Sequence, residues 1–160
     1  MLLHHGSNVA VEHPRILTTN RSLDFGAGFY TTSCFEQARR WATLQAQRRV
    51  SGNPTVSTYD LEDSALTDLA VLRFNEADGD WLDFVVANRK GIYSGPLYDL
   101  VIGPVANDRT MRVINDYMNG EIDKNTALVL LEPQRLTDQY CFRTADALSH
   151  LTYREVNCLD

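Results

Sequence analysis

The stretch Phe25-Gly26-Ala27-Gly28-Phe29-Tyr30-Thr31-Thr32, FGAGFYTT, decides how this chain is read. Two glycines run into an aromatic pair and two threonines, a composition that suits a strand. Glycine ahead of a strand serves one of two ends. It makes a turn or bulge that a side chain would obstruct. Alternatively, it lets the backbone crowd a flat ligand, with Tyr30 laid against it.

Downstream of this stretch, Ser33-Cys34-Phe35-Glu36 has the form of a capping box. A helix is expected over 34–49, with Ala38, Trp41, Ala42 and Gln45 on one face, and Gly52-Asn53-Pro54 ends it. Upstream, residues 2–5 read as a short strand that turns at HGSN. TVSTYDL (55–61) and LAVLRF (69–74) read as strands. Asp78 or Asp80 caps a helix carrying Trp81, Phe84, Val85 and Asn88, closed by Gly91. LYDLVIGPV (97–105) is a nearly continuous apolar run, hence a buried strand. Asp108 caps a helix to about Asn119, and Asp123 caps another over 124–131, stopped by Pro133. QYCF (139–142) and LTYREV (151–156) are strands around a short helix at 145–150. Strands at both ends with helices between them make the class α+β.

A length of 160 residues fits one domain over 1–160, large enough to bury a core without metal or disulfide. The net charge of −6 argues against a surface built wholly for nucleic acid. Arg39, Arg40, Arg48 and Arg49 still cluster on the 34–49 helix, as a solvated face or a steering patch for an acidic partner. The three cysteines, Cys34, Cys141 and Cys158, form no CxxC pair, so neither a zinc site nor a disulfide framework is expected, and a reducing cytoplasm is the natural setting. The start MLLHHGSN lacks the features of a signal peptide, and no apolar run reaches the roughly 18 residues of a membrane helix. Asp83 in LDFVV and Asp99 in YDLVI sit among apolar residues and are expected to be paired, tying down loops or an arginine.

Three short pieces form a constellation: His5-Gly6-Ser7, FGAGFY ending at Tyr30, and Asp138-Gln139-Tyr140. In order and local sequence they resemble the ADP-ribosyltransferases of the diphtheria toxin and poly-ADP-ribose polymerase type. That group carries a His-Tyr-Glu signature on three strands. Here Gln139 stands where the glutamate would, and Trp41 stands where the family carries a second aromatic on the following helix. The resemblance implies an ADP-ribosyltransferase-like split β-sandwich with inserted helices. It implies NAD as co-substrate, no metal, and His5, Tyr30 and Gln139 as catalytic residues. Gly6, Ser7, Arg15, Arg21, Gly28, Tyr30 and Trp41 would bind NAD.

Residue chemistry agrees with that assignment. Nicotinamide in NAD is flat and cationic, and a cation over an aromatic face such as Tyr30 or Trp41 gains roughly 0.5–2 kcal/mol. Its carboxamide needs one donor and one acceptor, which the Gly6 backbone can supply. His5 and Ser7 can bond the adenosine-side ribose, and Arg15 or Arg21 can pair with the diphosphate. Gln139 can accept from the nicotinamide-ribose 2′-hydroxyl but cannot carry charge or remove a proton. Polymer synthesis is therefore not expected. The expectation is transfer of one ADP-ribose to a macromolecular acceptor, protein favoured over a nucleobase amine, by the toxin of a bacterial toxin–antitoxin or defence system restrained by an antitoxin partner. The alternatives are a regulatory module that binds NAD without transfer, and a scaffold that keeps only the fold. Each residue also has a structural reading: His5 as a packed side chain, Tyr30 and Trp41 as core aromatics, Gly26 and Gly28 as a bulge, and Gln139 as a surface residue on an edge strand.

Overall fold

Which strands pair is dictated by their apolar faces, and the pairing yields two sheets. A computed structural model describes residues 1–17 and 23–159. In the first sheet β1 (Leu2–Ser7) lies antiparallel to β3 (Thr55–Leu61), whose other edge pairs with β7 (Leu151–Cys158). The second sheet has the order β2 (Phe29–Thr31), β6 (Asp138–Phe142), β5 (Leu100–Pro104) and β4 (Val71–Arg73). Only its β4–β5 pair is parallel.

The two sheets share one buried cluster. Leu3, Tyr59 and Leu61 of the first meet Phe29, Leu100, Ile102, Tyr140 and Phe142 of the second. Strand alternation sends the intervening residues the other way. Val101 and Cys141 pack beneath α3 (Gly79–Arg89), α4 (Asp108–Met118) and α5 (Lys124–Leu131), against Trp81, Leu82, Val85, Ile114, Ala127 and Leu131. The buried Trp81 indole keeps its polar atom satisfied by donating to the Pro104 carbonyl at 3.1 Å. On the outer face of the first sheet, Ala38 and Ala42 of α1 (Phe35–Arg49) cover Val56. The layers therefore run helix, sheet, sheet, helices. Two single-turn helices, α2 (Ala65–Asp68) and α6 (Ala145–Leu148), complete the chain.

The α+β class and most elements match the sequence reading, with informative exceptions. β1 extends through His5-Gly6-Ser7, so these residues lie in a strand and not in a turn. The capping box at Ser33–Glu36 does not form. Cys34 occupies the N-cap with no side-chain cap bond, because the Ser33 hydroxyl donates to Asp138 at 2.5 Å and Glu36 pairs with Arg39. The cap of α4 is Asn107, one residue before Asp108, and it accepts from the Thr110 N–H. Asp78 and Asp123 cap α3 and α5 as expected. LAVLRF contributes only its Val71–Arg73 core to a strand, since residues 65–68 form α2. Asp99 does tie loops, accepting from the Ala70 N–H and the Thr144 hydroxyl. Asp83 is exposed and pairs with Lys124. Among the described residues no helix is long and apolar enough to cross a membrane.

Candidate functional site

The two sheets touch edge to edge at a single point. His4 and Thr32 exchange both backbone hydrogen bonds, at 2.8 and 2.9 Å, in an isolated bridge between β1 and the end of β2. Beyond the bridge the edges separate. Backbone polar groups of residues two apart in a strand face the same edge. The Gly6 N–H and C=O therefore point the way those of His4 do, away from β3. By the same alternation the Tyr30 N–H and C=O face β1. Continued pairing would join Gly6 to Tyr30, but the Tyr30 carbonyl is taken by His5 Nδ1 at 2.7 Å. The Gly6 N–H and C=O and the Tyr30 N–H face a slit, the break in pairing between β1 and β2, without partners among the described residues. Buried backbone groups of this kind are rarely left without partners.

The His5 contact also fixes its tautomer. A carbonyl only accepts, so Nδ1 carries the proton and Nε2 is left as an acceptor. The ring is stacked on Phe29, with centroids 4.3 Å apart. Burial holds the imidazole below its ordinary value; the Tyr30 carbonyl opposes this, and Arg49 adds to it. His4, bonded to the Thr58 hydroxyl at 2.8 Å, is likewise lowered by burial, with Glu155 opposing. An unfolded chain takes up a proton near pH 6.5 and the folded one only below that. The stabilisation by neutral histidine is thus complete above pH 6.5 and fades as pH falls through the folded value. The melting temperature of wild type should therefore drop more steeply between about pH 7 and pH 5 than that of His5→Asn. Parallel profiles would show that His5 is not a source of the slope.

Tyr30 is pinned at its tip. Its hydroxyl donates to the Gly26 carbonyl at 2.6 Å and accepts from the Phe25 N–H at 3.0 Å. Burial pushes the phenol well above its ordinary value, so it stays protonated. Trp41 lies on α1 beside Gly6, its Cβ 3.0 Å from where a Gly6 side chain would begin. Among the described residues neither Tyr30 nor Trp41 forms an aromatic pair, with each other or with any other ring.

Gln139 is neither exposed nor on an edge strand, as its structural reading had it. It is 3% exposed on β6, between β2 and β5. Tyr30 lies opposite Cys141, so Tyr30 and Gln139 share one face as diagonal neighbours, roughly 7–8 Å apart. Gln139 Nε2 donates to Asp24 Oδ2 at 3.2 Å and to the Pro104 carbonyl at 3.4 Å. Its Oε1 has no partner among the described residues. Asp138 points elsewhere, accepting from Thr32 and Ser33 where β2 leads into α1.

At positions 26 and 28 the protein's own packing already requires glycine. A Cβ on Gly28 would overlap the Cys141 sulfur and lie 2.9 Å from the Phe142 carbonyl. Gly26 has φ +80° and sits against Asn88 and Arg143. Ser7 is buried and donates to Asn8 at 3.3 Å. Arg15 is exposed, with no bonded partner among the described residues. Arg21 lies outside the described residues. Sequence reasoning missed Asp24, which accepts from Arg89 Nε at 2.8 Å, from Arg89 Nη2, and from the Ala106 N–H at 3.3 Å. It also missed Arg143, which donates to the Phe25 carbonyl at 2.6 Å. An acid flanked by Leu23 and Phe25 was the available signal.

Two surface cavities, of about 170 and 430 Å³, lie along β4, β5 and the start of α3, and neither is lined by Gly6, Tyr30 or Trp41. No group of three His, Cys, Asp or Glu side chains that could hold a metal occurs among the described residues.

Residues 1–153 match the family described as protein of unknown function (DUF3990), and the chain belongs to that family. No curated protein and no solved structure matches it.

Proposed function

We propose that this DUF3990 protein binds NAD in the slit between its sheets, in an ADP-ribosyltransferase-like split β-sandwich, and acts as a mono-ADP-ribosyltransferase. The observation that carries the reading is the convergence of His5-Gly6, Tyr30 and Gln139. They come from strands far apart in sequence that lie side by side, β1 bridged to β2 and β2 paired with β6. The fit to nicotinamide rests on groups without partners among the described residues. A carboxamide needs one donor and one acceptor, and Gly6 offers both. The flat ring needs faces, and Tyr30 and Trp41 are aromatic side chains without aromatic partners beside that strand edge. His5 Nε2 is an acceptor for a ribose hydroxyl.

Bound NAD would supply ADP-ribose by loss of nicotinamide. Gln139 Oε1 would accept from the ribose 2′-hydroxyl and hold the sugar as charge develops. It cannot take a proton, so the acceptor must lose its own to solvent, and one transfer to a good nucleophile suits the site better than polymer growth. The resemblance extends the proposal to a bacterial cytoplasmic toxin acting on protein and restrained by an antitoxin. The neutrality of Gln139 favours a second reading, a regulatory module that binds NAD without cleaving it. Nicotinamide release separates the two.

Titrating NAD by calorimetry tests the site. Tyr30→Ala and Trp41→Ala should each weaken binding about 2- to 30-fold, the worth of one aromatic face on a cation. Circular dichroism should stay unchanged. Equal affinity in all three proteins would remove both rings from the site.

A further inference from the structure

We propose that Asp24 is a positioning residue, which holds the Gln139 carboxamide with its oxygen turned into the slit. The proposal rests on the site assignment above and adds a residue to it. Asp24 is 7% exposed and lies in the loop ahead of β2. A buried carboxylate needs a counter-charge and several donors. Oδ1 receives both Arg89 donors, and Oδ2 receives the Ala106 N–H and Gln139 Nε2. The second donor of Nε2 goes to the Pro104 carbonyl.

The consequence for Gln139 is stereochemical. A primary amide can be turned over, exchanging its oxygen and nitrogen. Here both groups facing Nε2 are acceptors without a proton to give. A turned amide would set Oε1 against a carboxylate and a carbonyl, leaving three acceptors together and none satisfied. Only one orientation survives, with Oε1 directed away from Asp24 and Pro104. Arg89 pairs with Asp24 and holds it in place, so the two acceptors keep their positions against Nε2. A glutamine in a catalytic position would otherwise present its NH₂ to the ribose as readily as its oxygen. Asp24 removes that ambiguity.

Asp24→Asn tests this, because an asparagine can turn its own NH₂ toward Gln139 and accept the reversed amide. The single variant also leaves Arg89 without its counter-ion and can destabilise the fold. Asp24→Asn/Arg89→Gln removes both charges and guards against that. Nuclear magnetic resonance of side-chain NH₂ groups reads the amide without need of activity. The Gln139 signal, assigned by its loss in Gln139→Ala, should move and exchange faster with solvent in the double variant. An unchanged signal would overturn the proposal.

For NAD cleavage, kcat should fall by up to about 10²-fold with KM for NAD within about twofold. In a Gln139→Ala background the Asp24 change should have no further effect on kcat. An equal, additive loss in that background would mean that Asp24 acts only on the fold. If wild type neither binds nor cleaves NAD, the functional reading fails, while the resonance result still decides whether Asp24 orients Gln139.

Discussion

Gly6→Ala should cost at least about 3 kcal/mol of folding stability, the upper end for overpacking a core. One methyl group is enough because of what it meets. The added Cβ would overlap the Ala38 carbonyl oxygen and lie 2.6 Å from the Ala42 nitrogen. These are backbone atoms of α1, and no rotamer change moves them. The helix must lift from the sheet, uncovering Val56 and separating Trp41 from the strand edge. Ala38 and Ala42, one helical turn apart, are small for the same reason: they let α1 lie directly on β1. Gly91→Ala is the internal control. Gly91 has φ +69° with nothing within 4 Å, so its substitution costs only the left-handed conformation, about 1–2 kcal/mol. Urea unfolding of both variants measures the difference. If Gly6→Ala cost no more than Gly91→Ala, the close seating of α1 on β1 would be wrong. Should it fold at all, it should also bind NAD poorly.

How much of this could be read beforehand depends on the range of the forces involved. Helix starts at Asp78 and Asp123 were legible because a cap is a local bond between neighbours. The Ser33–Glu36 box was misread because Asp138, 105 positions away, competes for the Ser33 hydroxyl and wins with a charge-assisted bond. The glycines at 6, 26 and 28 were visible as unusual, but their reason was not. Each is required by a neighbour brought up by the fold: α1, Asn88 and Arg143, or Cys141. Burial of Gln139 followed the same rule. Its edge or central position depends on whether β5 pairs with β6, which no local pattern states. Order along the chain and residue type singled out His5, Tyr30 and Gln139, and these stand on β1, β2 and β6, with β1 bridged to β2 and β2 paired with β6. Two histidines in succession gave no hint that His4 would brace Thr58 and β2 while His5 faces Tyr30.

Gln139→Glu carries the second large effect, and the environment of residue 139 reverses the naive expectation. Under the proposed function a carboxylate there would be expected to strengthen charge stabilisation on the sugar. In this protein it would face Asp24 across the present 3.2 Å contact, with the Pro104 carbonyl as the other neighbour. Arg89 already serves Asp24 and cannot neutralise two carboxylates. Like charges at this distance do not both ionise, so the pair keeps one proton, and the raised member shifts by about two to three units. At 1.36 kcal/mol per unit that amounts to about 3–4 kcal/mol lost at neutral pH. The sign follows from where the proton sits. The folded state holds it above the range in which an unfolded glutamate lets it go, near pH 4.3. The variant is therefore closest to wild type in stability below about pH 4.3, and the deficit grows as pH rises toward the shifted value. Urea midpoints at several pH values read this directly. Activity should follow the same course. The protonated pair offers no more charge than the glutamine did, so nicotinamide release should rise above wild type only once the pair ionises, in a protein by then much less stable. A Gln139→Glu protein as stable as wild type at pH 7 would mean that Asp24 does not face residue 139. The glutamine at this position, by that account, is the residue a buried Asp24 can tolerate.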